Sequence, residues 1–339
     1  MTACTSFGTQ EGAGDDAAAP TPDGSSADGA ADASASCGAA LATDPSNCGA
    51  CAHDCRGSAC ANGMCEKKPL GVSTTAPREL AAGSGRLLWT DGTSIYTCPL
   101  PDCQAQTTVP SSSEPIHVAI TPSRLYWSRV ASLDWVEVHG DGTVGNPSSI
   151  GATGIAGIAA HDDEVLYAET DKIKVASPSR TGEAVIGIPT PNVALVAVAG
   201  SVLSFTRTNG AISAFDWNSA LKQSLPAGSE LAGTGRLNAV VSIAVQGADH
   251  VYWAANEGIG RTARSTKEVI TLAPGVKTQR MVVDDTHVYA TTIDGDVVRY
   301  DLEGRDRLVL ARSTGAFGIA VDASFVYFGD ATGVWRVGK

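Results

Sequence analysis

Six cysteines, Cys37, Cys48, Cys51, Cys55, Cys60 and Cys65, are the densest set of reactive groups in this 339-residue chain. Their spacing, C-x10-C-x2-C-x3-C-x4-C-x4-C, encloses His53. Such a set can ligate zinc, here through Cys48, Cys51, His53 and Cys55, or it can pair oxidatively. The repeated C-x-x-C of zinc ribbons is missing, a four-ligand site strands two thiols, and an even count suits disulfides. Disulfides at all six, and no metal, are therefore expected. The segment has almost no large apolar residues beyond Leu41 and Met64, and a stretch this short without a core needs staples to hold one shape. Cys98 and Cys103 bracket Pro99-Leu100-Pro101-Asp102 at a separation that suits one more bridge, which leaves Cys4 over.

Other reactive residues stand in poor contexts. The chain has no H-E-x-x-H, no G-x-S-x-G and no P-loop, the patterns that hold zinc, present a nucleophilic serine or cradle phosphate. Gly12 to Ala17 fits a dinucleotide fingerprint only superficially, since no strand precedes it and no helix follows. Ser219-Ala220-Leu221-Lys222 lacks the companion motifs of S-x-x-K enzymes. His250 and His287 share a repeat position with Arg86, Arg124, Glu164, Ser201 and Phe325, which reads as the polar start of a strand. No cofactor is expected.

The elements that position these residues are repeats. A four-residue phrase recurs seven times: Arg86-Leu87-Leu88-Trp89, Arg124-Leu125-Tyr126-Trp127, Glu164-Val165-Leu166-Tyr167, Ser201-Val202-Leu203-Ser204, His250-Val251-Tyr252-Trp253, His287-Val288-Tyr289-Ala290 and Phe325-Val326-Tyr327-Phe328. The spacing is mostly about 37 to 40 residues, the period of a propeller blade. Short Val, Ile, Thr, Tyr and Trp runs separated by Gly, Pro, Asp and Ser make the chain all-β. The pattern predicts a seven-bladed β-propeller of four-stranded blades. The seventh unit ends after three strands, so a segment near Leu70 to Ser73 is expected to supply its fourth and leave no open sheet edge.

In such a ring, the turns between second and third strands and the connections between blades emerge on one face. The first set carries Asp91, Arg129, Glu169, Arg207, Asn256, Asp294 and Asp330, and the second Glu114, His117, Gln279, Arg280 and Phe317. Of these, Glu114, His117, Arg129, Glu169, Arg207, Asn256, Arg280 and Asp294 are the candidate ligand-binding residues. Two departures from the period fall on the same face. One is an insertion around Pro226 to Asn238, and the other is an extended loop from Ser128 to Asp134. Loops that outgrow a repeat are where function concentrates.

Composition divides the chain into three: a disordered Ala/Gly/Asp-rich tether (1–36), a disulfide-rich module (37–66) and the propeller (67–339). The formal net charge is −12, and residues 1–66 hold nine Asp/Glu against Arg56 alone. Such a surface repels phosphate backbones and anionic headgroups, which argues against nucleic acid as a partner. No apolar run approaches the roughly 20 residues needed to cross a bilayer. Deletion of residues 1–66 is expected to leave the ring intact, and deletion of 1–76 to open it.

Two resemblances add to these readings. Asp44-Pro45-Ser46-Asn47-Cys48-Gly49-Ala50-Cys51-Ala52-His53-Asp54-Cys55 resembles the D-x-x-N-C-G-x-C-x-x-x-C core of Stig1-like cysteine-rich modules, which occur on secreted proteins. Cys4, preceded by Ala3 and followed by the acidic tether, looks like the lipidated first residue of a bacterial lipoprotein. With the recurring Val-Tyr-Trp phrases, the whole resembles myxobacterial-type surface lipoproteins bearing propeller repeats. That resemblance implies an exported protein at the bacterial outer membrane or cell surface, touching the membrane only through an anchor at Cys4. The expected function is a non-catalytic binding module for a peptide, protein or glycan. The alternative is a propeller enzyme of the streptogramin-lyase or lactonase type, which needs a His/Glu or carboxylate cluster at the channel mouth. Glu114, His117 and Glu169 are its candidate components.

Overall fold

The computed structural model describes residues 40–71, 76–110, 114–169, 172–177, 184–187, 192–217, 230–232 and 237–339. The tether, Cys4, Cys37 and most of the Pro226 to Asn238 insertion lie outside them. Seven four-stranded antiparallel sheets and one two-stranded sheet make up the described residues. Blades 1 to 6 begin with innermost strands Glu79–Gly83, Val118–Ile120, Gly157–His161, Val193–Ala199, Ser242–Gln246 and Thr278–Val283. Blade 7 runs Ile319–Val321, Phe325–Asp330 and Gly333–Gly338, and its outermost strand is Lys68–Gly71 from the start of the propeller segment. Closure is thus as expected, although the strand begins earlier: Lys68 pairs with Arg336, Pro69 with Trp335 and Gly71 with Val334. Val72 and Ser73 lie outside the described residues.

Strand periodicity explains why blades stack. Successive side chains leave a strand on opposite faces, so a second strand that is apolar throughout can bury both. Trp89 packs with Ala320, Tyr327 and Val334 of blade 7, while its neighbour Leu88 packs with Val118, Leu125 and Trp127 of blade 2. The alternation continues around the ring, with Tyr126 against Val165 and Tyr167 and Tyr252 against Val288 and Ala290. Trp89, Trp127, Trp253, Tyr126, Tyr167, Tyr252, Tyr289 and Tyr327 are all fully buried.

The fourth phrase was framed one residue early. Trp89 pairs with Leu80 of its innermost strand, and the residue in that place in blade 4 is Phe205, paired with Val196. The phrase is therefore Val202-Leu203-Ser204-Phe205. A one-residue slip exchanges the faces of every side chain, and in the earlier frame Phe205 falls beyond the repeat. Ser204 is tolerated at a buried position because its hydroxyl donates to the Ser213 carbonyl at 3.0 Å.

The turns opposite the loop face are built by aspartates. Asp284 accepts the Thr286 and His287 amides at 2.8 and 2.9 Å, the Tyr289 hydroxyl at 3.1 Å and the Lys339 ammonium at 2.6 Å. Burial works to raise its carboxyl pKa, but Lys339 and these donors outweigh burial and hold it at about 2. A depressed folded-state value means that its stabilisation is complete above the unfolded value near 4 and is lost as pH falls from there through 2. Asp284→Asn should therefore lower stability at pH 7 by about 2 kcal/mol. The gap in melting temperature between variant and parent should close as pH is lowered from 5 to 2, and a constant gap would refute the assignment.

The cysteine-rich module is not a separate bead. Cys48 is bonded to Cys60 and Cys55 to Cys65, and Cys51 is disulfide-bonded as well, so the thiols of the zinc alternative are occupied. Asp44 and Asn47 shape the backbone, Asp44 accepting from the Ser46 amide and the Asn47 side chain, and Asn47 from the Ala52 amide. Asn62 and Gly63, both at positive φ, turn the small hairpin Cys60–Ala61 to Met64–Cys65, as two-residue hairpins require. The buried sulfurs share one apolar cluster with Tyr289, Leu308, Leu310, Val326 and Val337 of blades 6 and 7. Docking is tight enough that a Cβ on Gly338 would lie 2.6 Å from the Asp54 carbonyl. The module covers the seam beside the closing strand. Cys98–Cys103 braces the other flank of blade 7, at its seam with blade 1, where Arg336 of blade 7 donates to the Pro101 carbonyl at 2.5 Å and pairs with Asp102 at 2.6 Å.

Candidate functional site

The first residues of the innermost strands converge on the channel mouth. A cavity of about 210 Å³ lies there, lined by Glu79, His117 and Arg280 at its polar rim and by Val118, Ile158, Val196, Ile243, Met281 and Ile319 among its walls. His117 Nδ1 is 3.5 Å and Arg280 Nη2 is 3.6 Å from the same oxygen, Glu79 Oε2. Burial drives the Glu79 carboxyl upward, yet His117 and Arg280 more than offset this and hold it below the ordinary range. The rim is thus an ion trio drawn from blades 1, 2 and 6, and Arg280 remains partly open to solvent, with 40% of its side chain exposed.

His117 and Arg280 were legible as candidates, but Glu79, which joins them, was not. It opens the innermost strand of blade 1, directly after the connection from the closing strand, the blade junction at which the repeat is interrupted by the chain's own return. Its register is that of His117: Glu79 pairs with Thr90 as the strand turns inward, and Ser128 at the matching place bonds His117.

Of the remaining candidates, Arg129, Glu169 and Arg207 are held within their own blades. Arg129 pairs with Asp134, Nη2 to Oδ1 at 2.9 Å, and the supposed extended loop is a tight turn in which the Arg129 amide donates to the Ser132 carbonyl. Asp134 already belongs to the strand Ser132–Glu137. Glu169 is buried and pairs with Lys172 at 3.2 Å and Lys174 at 3.0 Å. Burial raises its carboxyl pKa, and the two lysines reverse this. Arg207 pairs with Glu230 at 3.4 Å and lies over the Phe205 ring. Glu114, Asn256 and Asp294 are exposed, and the Asn256 backbone amide donates a hydrogen bond to the Asn238 carbonyl at the end of the insertion, at 3.0 Å. The carboxylate that faces His117 at the channel mouth is Glu79 rather than Glu114 or Glu169, and Glu169 pairs with Lys172 and Lys174 of its own blade. His250 and His287 stand at the opposite face, beside the turns between first and second strands.

The loop face has a second property. Four large apolar side chains are exposed among the described residues: Ile116 at 39%, Val130 at 70%, Ile293 at 55% and Phe317 at 36%. All four lie on this face. Ile116 and Phe317 precede innermost strands at matching positions, their amides bonded to the Ser128 and Gly329 carbonyls, and Val130 and Ile293 cap turns between second and third strands. Single exposed apolar residues are ordinary on a protein surface, but their confinement to one of two faces is not.

Comparison with known proteins identifies the fold and nothing finer. No protein-family model matches the sequence, and no curated protein does. Among solved structures, a chain of "Structure of U3-55K" superposes with TM-score 0.65 at 12% identity, covering 81% of this chain and 98% of that one. A chain of "Crystal Structure of Mitotic Checkpoint Complex" gives 0.65 at 12% identity over 81% and 93%. The computationally designed Ika8 protein gives 0.56 at 13% identity over 80% and 98%. Matches extend to 1237 chains, a breadth that separates shared architecture from shared ligand.

Proposed function

We propose that this protein is a non-catalytic binding module that uses the loop face of its propeller to hold a peptide segment of a partner protein, and that it works outside the cytoplasm, tethered through Cys4. The observation that carries the reading is the placement of Ile116, Val130, Ile293 and Phe317 on one face around an ion-lined channel mouth. Apolar anchors within a polar rim are what interfaces use, and loops on a rigid scaffold can vary without disturbing the core. One solved chain of like architecture belongs to the Mitotic Checkpoint Complex, which supports the fold's general suitability for assembly. Oxidised cysteines support an oxidising compartment.

Panning a random peptide library on the immobilised protein tests this. Selected peptides are expected to lose at least about tenfold in affinity when Phe317 and Ile293 are both replaced by Asp, since apolar anchors are worth roughly 1–3 kcal/mol each. They should be unaffected by Thr286→Ala on the opposite face. Peptides that ignore the first change and respond to the second place the site on the wrong side. Radiolabelled fatty acid incorporated by the parent but not by Cys4→Ala checks the tether.

A further inference from the structure

The cavity at the channel mouth holds more basic groups than its one carboxylate engages. Glu79, His117 and Arg280 are the only titratable side chains that line it, and both basic partners converge on the same oxygen, Glu79 Oε2. A guanidinium carries five N–H donors. Arg280 turns Nη2 toward Glu79 and donates from Nη1 to the Gln279 carbonyl at 3.0 Å, so the fork is held in place while its other donors have no protein partner among the described residues. His117 turns Nδ1 to Glu79, and its Nε2 has no protein partner among them either. The lining forms two levels. The residues of the first level include Glu79, His117, Arg280 and Ser242, whose hydroxyl is already bonded to the Met281 backbone. One residue further along each innermost strand, away from the loop face, the lining is aliphatic in every blade, from Leu80 and Val118 round to Met281 and Ile319.

We infer that the mouth is a carboxylate subsite that takes the C-terminal residue of a peptide, with its free α-carboxylate on Arg280 and His117 and its aliphatic side chain against the second level. The inference rests on the peptide-binding reading above and specifies which end of the peptide enters. Charge favours an anion. The one carboxylate at the mouth is already paired, a cationic ligand has to compete with Arg280 and His117 for it, and a guanidinium fork matches an incoming carboxylate with two parallel bonds. Depth favours a chain terminus over an acidic side chain. A C-terminal residue carries its carboxylate and its side chain on one carbon, so the first stays at the charged level as the second goes deeper. Asp or Glu leads with its charge and carries it into the aliphatic level, where nothing pairs it. Size agrees. The volume of about 210 Å³ holds roughly seven waters at ~30 Å³ each and falls below the ~300–1,000 Å³ of sites that enclose a whole small molecule. One residue fits, and the rest of the peptide leaves over the face. Ile116 and Phe317 stand one residue outside the first level in blades 2 and 7, where the preceding residues pass.

N-acetyl-leucine, which mimics a C-terminal residue, probes the mouth alone. Calorimetric titration into the full chain should give saturable binding in the millimolar range expected of so small a ligand. N-acetyl-leucinamide, which lacks the carboxylate, and the α-amide of N-acetyl-glutamic acid, which carries it on the side chain, should each bind at least about tenfold more weakly. Arg280→Gln should weaken N-acetyl-leucine by about tenfold and abolish the preference for acid over amide. Arg280→Lys should keep part of that preference, because the charge remains and the fork is lost. Acid and amide binding alike, the glutamic acid derivative binding better than N-acetyl-leucine, no saturable binding, or N-acetyl-leucine binding unchanged in both Arg280 variants each overturns the inference. Failure of the peptide reading looks different. Panned peptides that ignore replacement of Phe317 and Ile293 by Asp would defeat that reading while N-acetyl-leucine still bound the mouth. Panned peptides that respond to that replacement but bind equally well as C-terminal amides would defeat the carboxylate subsite alone.

Discussion

A chain lacking residues 1–76 should fail to melt cooperatively, whereas a chain lacking 1–66 should melt cooperatively but several degrees below the parent. The first truncation removes the strand Lys68–Gly71 and with it the ladder to Val334, Trp335 and Arg336, each hydrogen bond worth about 1 kcal/mol. It also removes Lys67, whose ammonium donates to Asp330 at 2.9 Å. Stranding a buried carboxylate costs about 3–5 kcal/mol more. Leu70 leaves the cluster around Trp89, and the blade edge that remains open is a template for aggregation. The second truncation spares all of this, but it strips the module from Leu308, Leu310, Val326 and Val337. The sequence reading held that residues 1–66 were dispensable to the ring; the shared cluster makes them a partial support. Calorimetry on both truncations decides, and equal melting temperatures would sink the closure argument.

What could be read in advance follows from what repeats. Blade number and loop face were legible because alternating burial forces an aromatic or branched residue to recur at Trp89, Trp127, Tyr167 and Trp253, and ring topology then dictates which turns share a side. Blade 4 was misframed because Ser204 hides a polar atom through a backbone bond that no pattern announces. The partners of the charged candidates were harder. Arg129 meets Asp134 across one turn, which strand pairing could have suggested, but Glu79 meets Arg280 across blade 7, a contact that exists only once the ring is closed. Docking of the module was illegible for a different reason. It has almost no apolar side chains of its own, and the surface it buries is made of disulfide sulfur, which composition does not count as core.

Replacing Lys67 by Met should destabilise the protein more than replacing Lys67 and Asp330 together by Met and Asn. Asp330 is almost wholly buried, with 3% of its side chain exposed. It accepts from Lys67, from the Ser313 hydroxyl and from the Thr332 amide and hydroxyl at 2.7 and 2.6 Å. Burial opposes its charge, but these donors prevail and keep the carboxyl ionised well below the usual carboxylate range. Lys67 is therefore the only cation among the described residues that balances this charge, and it also lies 4.1 Å from the centre of the Trp335 ring. Taking away the cation alone leaves a buried charge, at a cost of about 3–5 kcal/mol, whereas a neutral amide keeps part of the hydrogen bonding. Urea midpoints for the parent, both single variants and the double variant give the coupling, and additive effects would show that the pair does not act as a unit. The clasp also bears on binding. Asp330 follows Gly329, whose carbonyl accepts the Phe317 amide and whose own amide donates to Gly318, so the turn that Lys67 holds is the one that presents Phe317. A Lys67→Met protein that remains folded should bind loop-face peptides more weakly than the double variant, although neither substitution touches an exposed apolar side chain.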